Sequence, residues 1–224
     1  MSDRLELGRL LNLEHTIAHE LFSGVKYPWE VLKDIKSFIV ELGHTLPTDE
    51  YEEISEHIWV ARDAKIMPSA YLSCPLIIDH EAEIRHCAFI RGSAIVGKGD
   101  VVGNSTELKN CVLFDTVQVP HFNDVGDSVL GYKSHMGAGS ITSNVKSDKT
   151  NVTVLMPDGG RIVTGLRKFG AILGDGTEVG CNSVLNPGTV TGRGVSVYPT
   201  SCVRGFIPEN HIFKSPDNIV FRNA

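Results

Sequence analysis

No apolar run in the 224-residue sequence approaches the ~20 residues that span a bilayer, and the polar start MSDRLELGRL lacks the charged-then-apolar order of a secretory leader. A membrane partner is therefore not expected, and the chain reads as cytoplasmic. Positive charge is not in excess: 21 Lys and Arg against 27 Asp and Glu give a formal net charge of −6, with the two signs interspersed. The basic stripe that tracks a nucleic-acid backbone is missing, so no nucleic-acid partner is expected either. The five cysteines (Cys74, Cys87, Cys111, Cys181 and Cys202) are an odd number with no C-x-x-C pair. That argues against a disulfide framework and against a thiolate zinc site, and no metal is expected.

What is present changes its period along the chain. Residues 1–50 read as a helical N-terminal segment. Leu10, Leu13, Ile17 and Leu21 recur at helical spacing, and PWEVLKDIKSFIVELG repeats the pattern between Pro28 and Gly43. Two short helices are expected there, acting as a cap on the main domain. From Val60 the apolar period becomes six, at residues 60, 66, 72, 78, 84, 90, 96, 102, 108 and Phe114. It returns at Leu173, Val179, Leu185, Thr191, Val197 and Val203. A six-residue repeat is the mark of a parallel β-helix, in which three hexads close a coil and residues 18 apart stack. The expected fold is mainly β: a β-helix over residues 51–208 with a C-terminal tail over 209–224.

Between the two runs the register breaks. Pro120 falls where an aliphatic residue is due, and Val125 to Leu130 is a step of five. The stretch NVTVLMPDGGRIVTG reads as two β segments around a Pro-Asp-Gly-Gly turn, an inserted hairpin arm over about residues 146–170 that projects from the prism. Arg91 and Lys109 lie 18 apart, so they stack on one face, either as a phosphate-holding pair or as two independently solvated cations. His121 follows Lys109 by 12 residues and is placed near the same edge, as a base or as a plain surface residue. Gly137 and Gly139 flank Ala138, which permits close backbone approach to a ligand or simply a tight corner.

From about Ile84 to Pro208 the sequence resembles the left-handed β-helix acetyltransferase domain of bifunctional sugar-1-phosphate nucleotidyltransferase/acetyltransferases, the archaeal-type subgroup most closely. The resemblance rests on IRGSAIVGKGDVVGNSTELKNC, VPHFNDVGDSVLG, HMGAGSITSN and TGLRKFGAILGDGTEVG, in that order. It implies left-handed winding, a homotrimer with sites between adjacent prisms, and acetyl-CoA as co-substrate. Position by position, His121 matches the general base and Glu107 a carboxylate beside it. Ala138 matches a residue whose backbone N–H supports the thioester carbonyl, and Asn144 an asparagine near the reacting amine. Arg91 and Lys109 match the residues that hold a sugar's phosphate, and either Lys149 or Lys168 a lysine that reaches it. Cys181 matches a small residue lining the coenzyme channel. Asp124 stands where the family usually has tyrosine and His135 where it usually has asparagine, so both substrate-side positions depart from the pattern. The 50 residues before the β-helix have neither the length nor the glycines for nucleotidyl transfer, which is not expected.

The expected function is N-acetylation of an amino-sugar phosphate, or a related amino sugar, in sugar-nucleotide synthesis. The alternative is a catalytically altered sugar-nucleotide binder or assembly protein on the same fold. A third reading, a zinc hydrase drawing on His80, His86 and His121, lacks the ligand spacing.

Overall fold

The computed structural model describes residues 2–222. Its main body is a parallel β-solenoid of three faces, each a ladder of short strands in which every coil hydrogen-bonds the next. The first face runs from Ile58–Ala61 through Leu76–Ile78 and Ala94–Val96 to Ala171–Leu173, Thr189–Thr191 and Phe206–Ile207. The second includes Val101–Asn104, Gln118–His121, His135–Met136 and Glu178–Val179. The third includes Phe89–Ile90, Ile141–Thr142, Val184–Leu185 and Cys202–Val203. Two longer strands, Glu107–Leu113 and Asp124–Leu130, cross a corner and serve both the third and the first face.

Those two strands explain the broken register. Earlier in the chain the corner between third and first face is turned by two left-handed residues, Gly92 (φ 92°) and Ser93 (φ 54°). In the next two coils Asn110 (φ 52°) and Asp127 (φ 47°) turn it alone, which removes one residue from each coil. Val102 consequently pairs with Val119, and Leu108 with Val125, 17 residues on rather than 18. The tenth hexad position is corrected accordingly: Leu113 points into the prism, while Phe114 lies in the cluster on the outer side. Val119, not Pro120, is the inward residue that follows. Pro120 occupies a corner directly above Gly103, where an added Cβ would stand 1.6 Å from the Pro120 carbonyl oxygen.

The outward side of the first face is a continuous apolar column: Trp59, Ile77, Ile95, Val112, Val129, Ile172, Val190 and Phe206. Residues 2–43 cover part of it, burying Leu5, Leu10, Leu11, Phe22, Trp29, Val31, Ile35 and Ile39. They do so with one nine-residue helix, Ile35–Gly43, one four-residue helix, Leu7–Leu10, and a series of 3-10 turns. The first of the two expected helices is thus not formed. Short helices owe their stability to packing, and this flat strip of branched side chains is met by a winding chain with extended residues at Glu6, Leu11, Asn12 and Thr16.

The insertion is a hairpin, Thr153–Leu155 with Arg161–Val163, but it does not project freely. Val152 and Val154 are buried with the N-terminal segment on the first face, and Phe169 packs against Trp29 at 5.6 Å between ring centroids. The expected C-terminal tail is also structured. His211–Ser215 extends the second face, and Asn218–Phe221 folds back antiparallel on it. At the other end Tyr51–Ser55 pairs antiparallel with Ile58–Ala61, so antiparallel strands occupy open edges at both ends. Among the described residues no helix is long and apolar enough to cross a membrane.

Trp29 is buried to 1% exposure where the N-terminal segment, the insertion and the first face meet. Its truncation to alanine is expected to cost roughly 3–5 kcal/mol, read as a lowered denaturant midpoint. An unchanged midpoint would show that the covering segment contributes little to stability.

Candidate active site

The edge between the second and third faces carries the residues of interest. His121 ends a second-face strand, Phe122 (φ 52°) turns the corner, and Asp124 begins the third face. A bulky residue in the left-handed region costs of order 1–3 kcal/mol. Asn123, 2% exposed, holds it there. Its Oδ1 accepts the His121 N–H at 3.1 Å, and its Nδ2 donates to the carbonyls of Gly137 (2.9 Å) and Ser140 (3.1 Å) in the next coil. The imidazole of His121 is exposed and makes no hydrogen bond among the described residues.

The coil above aligns with this edge. Gln118 pairs with His135, so three residues further on His121 stands opposite Ala138, and the pairing of His135 with Glu178 likewise sets Ala138 opposite Cys181. Carbonyls tie the column together: His121 accepts from Gly139 N–H (3.0 Å), Ala138 from Asn182 (2.8 Å) and Cys181 from Thr200 (2.8 Å). The N–H groups of Ala138 and Cys181 donate to no acceptor among the described residues. Such a free N–H recurs at solenoid corners, and what singles out Ala138 is its place one coil from His121.

The charged residues are arranged differently from the expectation. The backbones of Arg91 and Lys109 do stack, since Ile90 pairs with Leu108, yet each cation has its own carboxylate. Arg91 Nη1 donates to Glu107 Oε1 at 2.7 Å, and Lys109 Nζ lies 3.4 Å from both Asp127 oxygens. Glu107 therefore braces Arg91 and makes no hydrogen bond to His121. Asp127 is the residue that sequence reasoning passed over. Its side chain is 6% exposed and accepts from Asn110 Nδ2 (2.8 Å) and Asn144 Nδ2 (2.5 Å) as well as from Lys109. The available signal was an Asn and an Asp, both tolerant of left-handed backbone, at equivalent places in KNC and GDS.

Asp124 pairs in register with Glu107 one coil below. Loss of hydration raises its carboxyl above the ordinary range, the Glu107 charge raises it further, and Arg91 offsets part of this. Asn144 is locked onto Asp127 at the base of the insertion, where Phe169 N–H meets the Asn144 carbonyl at 3.0 Å. Lys168 bridges Val145 at that base, whereas Lys149 lies further out in the loop. His135 is on the second face, with Nδ1 2.9 Å from Glu178 Oε2. His80 is held by Asp63 and Glu50, away from His121, and among the described residues no three His, Cys, Asp or Glu side chains are grouped to hold a metal ion.

No family model matches the chain. Among curated proteins it is 26% identical over 218 residues to the bifunctional protein GlmU of Methanococcus maripaludis, which covers 96% of this chain and 52% of that protein. It is 28% identical over 223 residues to the bifunctional sugar-1-phosphate nucleotidylyltransferase/acetyltransferase of Sulfurisphaera tokodaii, covering 94% and 55%. The chain thus spans about half the length of the curated relatives it matches. Solved structures with a similar course include the acetyltransferase domain of PglB from Neisseria gonorrhoeae, determined with acetyl coenzyme A (12% identity, 84% of this chain and 65% of that one, TM-score 0.32). A mutant of AntD, an N-acyltransferase from Bacillus cereus determined with dTDP and coenzyme A, is another (15% identity, 75% and 87%, TM-score 0.38). By sequence the chain is a homologue of the acetyltransferase part of the bifunctional sugar-1-phosphate nucleotidylyltransferase/acetyltransferases.

Proposed function

We propose that the protein transfers an acetyl group from acetyl-CoA to the amine of an amino sugar, with the reaction at the edge between the second and third faces. The observation that carries this reading is the pairing of an unbonded imidazole, His121, with an unbonded backbone N–H, Ala138, in adjacent coils. Adjacent coils are about 4.8 Å apart, a spacing suited to a proton acceptor and an oxyanion donor on either side of one reacting carbonyl. His121 takes a proton from the acceptor nitrogen, whose lone pair attacks the thioester carbon. The Ala138 N–H receives the developing oxyanion, a contribution of roughly 3–4 kcal/mol for a donor so placed. The C–S bond then breaks, and the departing sulfur takes up a proton. The free N–H of Cys181, one coil further, suits an amide carbonyl of the coenzyme's arm.

The charge around Arg91 and Lys109 favours an acceptor without a phosphate there. A phosphate at Arg91 has to displace Glu107, and Lys109 is already engaged by Asp127. With Asp124 alongside, this part of the site holds three carboxylates against two cations. A hydroxyl-rich or amine-bearing group meets that surface more readily than a dianion. The alternative of a binder without catalysis draws on the same departure at Asp124, and turnover separates the two.

His121→Ala is expected to abolish coenzyme A release with every accepted amine while the circular dichroism spectrum stays as in the wild type. The assay should span glucosamine, glucosamine-1-phosphate, galactosamine-1-phosphate and UDP-linked amino sugars. Undiminished turnover by the variant would remove His121 from the role. Absence of turnover by the wild type on all of them would favour the binder.

The charge arrangement makes a second prediction. Carbon-13 NMR of the Asp124 carboxyl should show titration above the ordinary aspartate range, and Glu107→Gln should bring it down by removing a like charge and freeing Arg91. Because the folded-state value is raised, Asp124's stabilising contribution is complete below the unfolded-state range and is lost as pH rises through the folded value. Asp124→Asn should therefore gain in thermal midpoint over the wild type as pH rises from about 4 toward 7. A gain in the opposite direction would mean that Arg91 dominates the site.

A further inference from the structure

We propose that the cleft between the insertion and the third face binds a phosphate or diphosphate group. The cleft has a volume of about 440 Å³ and lies outside the His121 edge, with Ser143, Lys146, Arg161 and Arg204 in its lining. Arg161 comes from the second strand of the hairpin, and Arg204 directly follows the third-face strand Cys202–Val203. The two arginines thus line one cleft from separate elements. Neither has a carboxylate partner among the described residues, in contrast to Arg91 and Lys109 on the same face. The one acidic residue in the lining, Asp148, is engaged by Lys146 at 3.2 Å and by the Thr150 hydroxyl and N–H.

Two cations brought to one cleft without a counter-charge repel each other until an anion joins them. Guanidinium groups present paired N–H donors that match phosphate oxygens, and a diphosphate can engage one from each side. The cations at the expected phosphate position are therefore neutralised, while Arg204 further along the same face and Arg161 on the insertion are left without a carboxylate partner.

Register sets the distance from the reacting edge. Val125 pairs with Thr142, Thr142 with Leu185 and Leu185 with Val203, so Gly126, Ser143, Asn186 and Arg204 form one column. Arg204 stands three coils beyond Gly126, about 14 Å along the axis at ~4.8 Å per coil. Gly126 lies further along the third face than the His121 edge, so a ligand that reacts at His121 and carries its phosphates at least that far away spans the two places. Both a coenzyme with a long acyl-carrying arm and a nucleotide-linked sugar have this form, and they share the diphosphate chemistry. This naming of the ligand rests on the acetyltransferase reading, whereas the anion site itself does not.

The test is equilibrium binding by calorimetry of inorganic pyrophosphate, coenzyme A and UDP to the full chain and to Arg161→Ala, Arg204→Ala and the double variant. Wild-type binding that weakens with salt is expected, with a loss of roughly tenfold or more in each single variant and no measurable binding in the double. Both arginines are exposed, so thermal midpoints should hold. If coenzyme A weakens while UDP is unaffected, the site serves the coenzyme. If UDP weakens and coenzyme A does not, it serves the acceptor. Failure of the wild type to bind any of the three, or equal binding by the double variant, overturns the proposal. Since binding is read without turnover, that result is independent of whether the protein transfers acetyl groups.

Discussion

Two coils of the solenoid are one residue shorter than their neighbours, and the site depends on that shortening. Asn110 and Asp127 each turn a corner that Gly92 and Ser93 turn together one coil earlier. The lost residue puts Leu113 inside and Phe114 outside, so Phe114 reinforces the apolar column instead of crowding the prism. It also brings His121 above Asn104 and below Ala138, because the ladder of the second face now advances by 17. Finally it places the side chains of Asn110 and Asp127 within 2.8 Å of each other at the foot of the insertion. One backbone economy therefore sets the core register, the alignment of the His121 edge and the anchor of the inserted arm.

The three faces divide the work by their outward residues. The first is apolar and is covered by residues 2–43 and by the insertion, which meet at Trp29 and Phe169. A fully buried large side chain contributes about 1.5–3 kcal/mol, so this coat is a second core and no mere appendage. Its position also ties it to the site. The Leu32 carbonyl accepts Asn110 Nδ2 at 3.0 Å, and Asn110 Nδ2 in turn donates to Asp127. A path of hydrogen bonds thus runs from the N-terminal segment through Asn110 and Asp127 to Asn144. The edge between second and third faces stays open, with Phe122 and His121 exposed on it.

Much of this is legible in the sequence. The hexads from Val60 to Leu108 and from Leu173 to Val203 mark residues that do face the prism interior, and the Pro-Asp-Gly-Gly turn does join two antiparallel strands. What failed did so for identifiable reasons. Leu113 and Phe114 are adjacent and both apolar, so a six-residue count cannot tell which turns inward once a corner loses a residue. The N-terminal apolar spacing fits a helix, but the surface it meets is flat and favours turns. Arg91 and Lys109 were correctly stacked by their separation of 18, but Glu107 stands 16 residues from Arg91, outside that rule, while Asp127, 18 from Lys109, met the same count and was passed over. Asn123 gave no signal at all, since its role lies in three carbonyl and amide groups of its own and the next coil.

The same pairings separate residues that hold the edge from residues free to do chemistry. Lys109, Asn110, Asp127 and Asn144 satisfy one another within a partly buried network, and removing any one leaves a polar group short of a partner. Arg91 and Glu107 form a second closed pair nearer solvent. Against this background His121, the N–H groups of Ala138 and Cys181, and the guanidinium groups of Arg161 and Arg204 share one property: each has hydrogen-bonding capacity that the described chain does not use. A solenoid of stacked short strands satisfies its backbone almost automatically, so unused capacity collects where coils turn and where the insertion departs. That is where a ligand gains most, because it meets hydrogen-bonding groups that are unused and does not have to break an internal bond to reach them.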